Sequence, residues 1–258
     1  AIDKKAVTIE VSPNNFGVFE VPNSNQLICA NHFQSEAYAQ DKNNIKHIAE
    51  SHSKYRYERM EELLQEHEKV TPQIAVDILR NKEGMQDKPI GYGNEKALNQ
   101  LLAHHSIVFK PEQGIVWVSS NPYQLGEYVA YNLKDIFKDT PPKLSMGTLS
   151  KSKFNIEKDV FQYTKAFQDY ETYRIMKTQI EEAIANKKFI EPSVLLDLQN
   201  ANPEYWEAYY IVGEYYYQKK YYKAALKAFE KANTKEITTI PNKEQIEFYT
   251  KKLKRKLN

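Results

Sequence analysis

The sequence predicts an α+β fold, in which an antiparallel sheet with packed helices is followed by an all-α region. Residues 6–30 and 98–120 contain short apolar runs separated by turn residues, as is typical of strands joined by hairpins. Between them, residues 54–67 and 71–81 repeat apolar side chains at helical spacing. From about residue 154 the helical spacing continues almost to the C-terminus, which predicts a second, helical part.

The chain begins with a predicted three-stranded meander. Apolar and polar residues alternate over residues 7–11, which predicts a half-buried strand, and a second strand is expected at residues 17–21. Residues 26–30 hold four consecutive apolar residues, so we expect a third strand covered on both faces. That strand would end at Asn31 and His32, where the chain opens into a polar segment. Functional side chains are often mounted at such positions.

Two helices follow. The first, residues 54–67, carries Tyr57, Met60, Leu64 and His67 at helical spacing, which predicts its packed face. The second begins with Thr71-Pro72, a helix-capping residue followed by proline in the first helical position, and ends near residue 81.

A hairpin is predicted at residues 98–110 and 114–120, joined by a turn at residues 111–114. Both of its faces are largely apolar, as expected for a sheet covered on both sides. Its first arm carries His104 and His105, which are interpreted as core or near-core histidines satisfied by hydrogen bonds. A metal site is the alternative, but carboxylates at ligand spacing are lacking nearby.

Residues 127–137 are expected to form a short helix or an extended cover. Residues 138–153 show no periodic pattern and contain a Pro-Pro pair, so we place the domain boundary there. The predicted domains are residues 1–140 and residues 154–258.

The second domain is predicted to contain a long helix over residues 156–184 and another over residues 192–200. The chain beyond it resembles a tetratricopeptide repeat. Large, small and aromatic positions of the repeat are matched by Tyr209, Val212, Gly213, Tyr216, Ala225, Phe229 and Ala232. A single unit cannot bury its own apolar face, so it must stack on neighbouring helices or on the first domain. The resemblance implies a possible protein partner for the helical domain.

Two motifs of the first domain are specific when taken together. Asn31-His32 at a predicted strand end is followed by a helix that carries, at fixed spacing, Arg56, Arg59, Met60, Leu63 and Leu64. The pair resembles the C-terminal half of penicillin acyltransferase-like N-terminal-nucleophile (Ntn) hydrolases, relatives of choloylglycine hydrolase, over about residues 6–137. The resemblance implies an αββα sandwich and a catalytic cysteine exposed by autoproteolytic processing. That cysteine would lie upstream of Ala1, in another half of the same precursor.

The resemblance also implies site residues. Asn31 would donate its side-chain NH₂ to the tetrahedral oxyanion, with His32 as a neighbour; alternatively, Asn31 caps a turn. The family's arginine near the late hairpin falls at Gln100, a departure that bears on substrate recognition. Cys29 is the chain's one cysteine, and its place in the predicted buried strand argues against a nucleophilic role.

Composition excludes several classes of function. A net charge of +2 does not indicate a nucleic-acid partner, and one cysteine excludes an internal disulfide and a cysteine-rich zinc site. No apolar stretch approaches membrane-spanning length. No cofactor and no metal is expected. The cellular location stays open, and an upstream signal removed with the missing segment would allow export.

Two functions therefore compete. The first is the C-terminal portion of a cysteine Ntn amidohydrolase or acyltransferase acting on a small N-acyl substrate through an acyl-enzyme. The chain alone is then expected to be inactive, since the nucleophile lies upstream. The second is a helical-repeat interaction module with a non-catalytic half-domain.

Overall fold

The computed structural model describes residues 5–138 and 149–257. Within these ranges the strands are β1 Thr8–Ser12, β2 Asn15–Phe19, β3 Ile107–Lys110, β4 Ile115–Ser119 and β5 Tyr128–Asn132. The α-helices are α1 Lys42–Glu50, α2 Ser53–Gln65, α3 Pro72–Leu79, α4 Leu133–Ile136, α5 Lys165–Ala185, α6 Pro192–Ala201, α7 Trp206–Gln218, α8 Tyr222–Ala232 and α9 Ile240–Leu257. The predicted α+β fold is confirmed.

The described strands form two antiparallel sheets, β1-β2 and β3-β4-β5. In the first sheet Ile9 lies opposite Val18 and Val11 lies opposite Phe16. All four of these apolar side chains are exposed, so one face of the β1-β2 hairpin is an uncovered apolar surface. The second sheet is better covered, because four of the five residues of β4 are buried.

The predicted third strand of the meander is wrong. Residues 26–30 pair with neither sheet, and Cys29 is exposed. Local side-chain bonds hold this segment instead: the Gln26 amide donates to Ser24 Oγ and the Ala30 amide to Gln34 Oε1. An apolar run becomes a buried strand only where a neighbouring sheet covers it, and the described residues provide none here.

The first-domain helices were only partly predicted. Helix α1 lies where a polar segment was expected, and Asp41 caps it by accepting a hydrogen bond from the Asn44 amide. In α2 the buried side chains are Ser53, Arg59 and Leu63 rather than the predicted apolar set. Arg59 is fully buried because it pairs with two acids of its surroundings, Glu62 and Asp87. The Thr71 cap and the first-turn proline of α3 are confirmed.

The late hairpin is shorter than predicted. Its turn is confirmed, but the first arm begins at Ile107, and residues 98–106 are irregular. Leu101 is buried at a φ of +50°, a left-handed conformation that cannot continue a strand. His104 and His105 are exposed, so their prediction as core histidines is wrong.

Strand β5 and helix α4 occupy residues 127–137, where a short helix or an extended cover was expected. Most of the predicted boundary, residues 139–148, lies outside the described part of the chain. Ile156 was predicted to lie in the long helix, but it is not helical. It forms a β-bridge with Tyr128 of β5 and joins the small core around Trp117. The long helix starts only at Lys165, after the Thr164 cap.

Helices α5–α9 share one large core. Helices α7 and α8 are consecutive and joined by a short turn, and they touch where Gly213 faces the ring of Phe229. A Cβ on Gly213 would come within 2.7 Å of that ring, so only glycine allows this approach. This is the geometry of a packed helix pair. Its assignment as a tetratricopeptide repeat stays a prediction.

The helical core includes residues of the preceding segment. Leu101 and Leu125 are fully buried among side chains of α5 and α7. Asn202 makes a two-way hydrogen bond with the backbone of Tyr92, at 3.1 and 2.8 Å, and Glu236 accepts from Lys88 and Lys96 at 2.9 and 2.7 Å. Residues 88–101 and Leu125 are therefore packed against the helices.

Candidate functional site

Asn31 is exposed and borders an open cleft of about 410 Å³. The walls of the cleft come from the segment before α1 and from α1 itself, and they include His32, Asp41 and His47. Because several amide and imidazole groups converge on it, the cleft is suited to a polar ligand. The predicted site residues Asn31 and His32 lie side by side at its edge.

Arg56 of α2 fixes the side chain of Asn31. Its Nη2 donates to Asn31 Oδ1, and its Nη1 contacts His52 Nδ1 and donates to the Glu95 carbonyl at 2.9 Å. Since the guanidinium has only donors, it selects the oxygen of the Asn31 amide. Among the described residues, nothing accepts a hydrogen bond from Asn31 Nδ2. The NH₂ is thus oriented and available to a ligand.

His52 is held neutral beside this arginine. Partial burial and then the Arg56 charge lower the pKa of His52 to about 4. A guanidinium can only donate, so Nδ1 of His52 must be the acceptor, and the ring proton lies on Nε2. The helical spacing of four residues between His52 and Arg56 was the sequence signal for this pair, which the sequence reasoning missed.

His32 follows Asn31 in the chain. Its Nδ1 lies 2.8 Å from Ser53 Oγ at the start of α2. Partial burial, followed by the nearby His47, lowers the pKa of His32. The ring is therefore tied to the helix that carries Arg56.

Glu10 of β1 supports the turn behind Asn31. Its buried carboxylate accepts hydrogen bonds from the amides of Gln34 at 2.6 Å and Ser35 at 2.9 Å. Backbone amides bound to a charged carboxylate make strong hydrogen bonds. A lone acid on an alternating strand gave no sequence signal for this role.

Two other predicted positions lie nearby. Cys29 is exposed, so its predicted burial is wrong; its Sγ lies 2.9 Å from Thr8 Oγ1. Gln100 Nε2 donates to the Glu95 carbonyl at 3.2 Å, the same oxygen that accepts from Arg56. Gln100 therefore lies beside Arg56 but contacts the backbone rather than Asn31.

Within residues 5–138 and 149–257, no group of three or more acidic, histidine or cysteine side chains is arranged to hold a metal ion. In the same residues, no helix combines the length and apolar character needed to cross a bilayer.

Residues 2–122 match the family model of acyl-coenzyme A:6-aminopenicillanic acid acyl-transferase. The matched part contains Asn31, Arg56 and Gln100 and ends before the helical region. It supports a penicillin acyltransferase-like first part of the chain. Among curated proteins no match was found, and no solved structure matches either.

Proposed function

We propose that the first part of this chain belongs to a cysteine Ntn amidohydrolase or acyltransferase that acts on a linear N-acyl bond. The nucleophile is an N-terminal cysteine in an upstream segment of the same precursor, exposed by autoproteolytic processing. The observation that carries the proposal is the oriented Asn31 amide, whose oxygen is taken by Arg56 and whose NH₂ borders an open cleft.

In the proposed reaction the upstream thiolate adds to the acyl carbonyl, and the carbonyl oxygen becomes an oxyanion. The Asn31 NH₂ donates to that oxyanion, and this interaction strengthens as negative charge develops. Collapse breaks the C–N bond and releases the amine, which takes up the proton that the α-amine of the cysteine had removed from the thiol. Water or another amine then accepts the acyl group from the sulfur. Arg56 acts as a positioning residue, since it touches Asn31 and not the reacting atoms.

The uncovered apolar face of the β1-β2 hairpin supports the proposal that another segment of the precursor packs against it. Ile9, Val11, Phe16 and Val18 form a row of exposed apolar side chains on a two-stranded sheet, an arrangement that is marginally stable by itself. An upstream segment that packs a second sheet on this face would complete the αββα sandwich of the proposed family.

The test is Asn31→Ala in the complete precursor, with the unfolding midpoint and kcat measured on the same sample. Loss of an oxyanion donor should lower kcat by roughly 10²–10³ with little change in KM. If Asn31 only caps a turn, the variant should instead lose about 1 kcal/mol of stability and keep the kcat of the unmodified enzyme. His32→Ala is the matched neighbour and should show the smaller catalytic effect. Full kcat with a lowered melting temperature would remove Asn31 from the site.

The present chain alone is expected to show no amidase activity. Cys29 is accessible, but the side chain that its thiol contacts is the Thr8 hydroxyl, which cannot act as a base at neutral pH. Turnover of a simple acyl amide by this chain, abolished by Cys29→Ser, would overturn this expectation.

The second candidate function is an interaction module in the helices, favoured by a groove of about 700 Å³ along α6, α7 and α8. Its wall includes Leu196, whose side chain is 56% exposed. An in-frame cysteine at a cleavage site upstream in the precursor would favour the enzyme. The absence of such a cysteine would favour the interaction module.

A further inference from the structure

A second cleft, of about 530 Å³, lies between the loop of residues 92–102 and the helices α5 and α7. It is large enough for a small organic molecule. The side chains used in the argument below are Glu95, Tyr173, Lys177, Tyr205, Trp206 and Glu207.

The two acids that line this cleft are unequally paired. Lys177 Nζ lies 2.7 Å from Glu207 and 3.9 Å from Glu181, so one lysine is shared by two acids. Within the described parts of the chain, Glu95 has no ion-pair partner within 4 Å. Burial, and then repulsion from Glu207, raises the pKa of Glu95. Glu207 is therefore paired directly with a lysine, whereas the Glu95 carboxylate has no direct ion pair among the described residues.

The other nearby cations are already engaged. Arg56 faces the backbone carbonyl of Glu95 and not its carboxylate. Arg174 pairs with Glu171 at 3.4 Å and lies over the ring of Tyr123. Neither forms an ion pair with the Glu95 carboxylate: Lys177, a hydrogen bond with Thr238 and, least, Arg56 lower the pKa of Glu95, but burial and Glu207 outweigh them.

Aromatic side chains form the rest of the wall. Tyr173, Tyr205 and Trp206 are almost fully buried, and the rings of Tyr173 and Tyr205 meet edge to face at 5.9 Å. Tyr173 donates to Glu207 at 3.2 Å, and Trp206 Nε1 donates to the buried Thr238 hydroxyl at 2.8 Å. The walls are thus fixed before any ligand enters. Rings beside carboxylates form a favourable environment for an organic cation.

We propose that this cleft binds a small organic ammonium ion, held between the carboxylates of Glu95 and Glu207 and against the rings of Tyr205 and Trp206. A bare metal ion fits less well, since these acids are not grouped as metal ligands in the described residues. An ammonium group would give the Glu95 carboxylate a direct ion pair, and its carbon chain would cover aromatic surface.

The cleft adjoins the proposed reaction site. His52 lines it, and both His52 and the Glu95 backbone contact the same guanidinium that orients Asn31. The ammonium ion is accordingly the amine component of the N-acyl bond, or part of it. The identification of the ammonium ion as the amine component rests on the proposed function, whereas the binding of an ammonium ion does not.

The test uses isothermal titration calorimetry of the full chain with 1,4-diaminobutane. We expect saturable one-to-one binding that weakens with added salt, and no binding of the neutral analogue 1,4-butanediol. Glu95→Gln keeps the size of the side chain and should weaken diamine binding about tenfold or more. Glu112→Gln, an exposed acid in the β3-β4 turn, is the matched control and should bind like the wild type.

Absence of diamine binding by the wild type, equal binding of the diol, or an unchanged Kd in Glu95→Gln would overturn the proposal. Glu207→Gln is a second variant and should also weaken diamine binding. The comparison of diamine with diol uses the unmodified chain, so it does not depend on whether a variant folds. Calorimetry requires no nucleophile, so a negative result leaves the proposed amidase function intact. Conversely, an inactive complete precursor with intact diamine binding would remove that function and leave this site.

Discussion

At the scale of single residues, Arg56 is the side chain that connects the two clefts. Its guanidinium touches Asn31 on one side and His52 with the Glu95 backbone on the other. Partial burial lowers the pKa of Arg56, and the neighbouring Glu95 raises it. The net effect lowers the pKa of Arg56, but a guanidinium titrates so far above neutral pH that the group stays charged. A fixed donor therefore sets the orientation of two neighbouring side chains.

We expect the imidazole of His52 to remain neutral far below the ordinary pKa of 6.5, with its midpoint at about 4. Since the unfolded chain binds this proton at higher pH than the folded chain, His52 lowers stability progressively as pH falls from 6.5 toward 4. NMR titration of the histidine side chains should show one imidazole with this low midpoint, which disappears in His52→Gln.

Arg56→Gln is the informative partner variant, because it removes the charge and keeps a donor. The midpoint of His52 should rise in this variant, though burial keeps it below 6.5. An unchanged midpoint would show that burial alone sets the pKa. A midpoint near 6.5 in the unmodified chain would contradict the packing described for His52.

The residue types of the site were only partly predictable from the sequence. Asn31 and Arg56 belong to motifs that are visible in the chain, but their contact spans 25 residues and needs the folded structure. Cys29 was misplaced because its apolar neighbours indicated burial, whereas no sheet formed by residues 5–138 and 149–257 covers this segment. The second cleft was not predicted, since its acids and rings come from separate helices and a loop.

At the scale of elements, helix starts with a capping signal were predicted best. Thr71-Pro72 and Pro192 mark the first turns of α3 and α6, as local chemistry requires. Strands were predicted less well, because their pairing depends on distant residues. The residues before β3 alternate like a strand, yet the buried contacts of Leu101 hold them in an irregular path.

The pair α7-α8 gives a prediction at this scale. Gly213→Ala should destabilise the protein by about 1–2 kcal/mol, because overpacking against Phe229 outweighs the roughly 1 kcal/mol that alanine gains in helix propensity. Urea unfolding followed by circular dichroism measures the change.

A double variant separates this contact from a general effect on the helix. Phe229→Leu removes the ring edge, so the penalty of Gly213→Ala should be smaller in that background. Equal penalties in both backgrounds would show that the contact with the ring does not decide the cost.

At the scale of the whole molecule, the helical region is completed by side chains from outside it. Expressed alone, residues 152–258 should be helical by circular dichroism but unfold at lower temperature and with poor cooperativity. The fragment lacks Leu101 and Leu125, which fill its core, and a single helix pair leaves an apolar face uncovered. The full chain is the control, and a sharp transition of the fragment at the full-chain temperature would show a self-sufficient module.

The salt bridges of Glu236 also set an order of events during synthesis. Its partners Lys88 and Lys96 precede it by 148 and 140 residues. At ribosomal rates of about 5–20 residues per second, those lysines wait about 7–30 s for their acid. The segment of residues 88–96, part of which lines the second cleft, therefore acquires this anchor only after Glu236 has been made. Until then the two lysines in the nascent chain lack the carboxylate that ties them to the helical region.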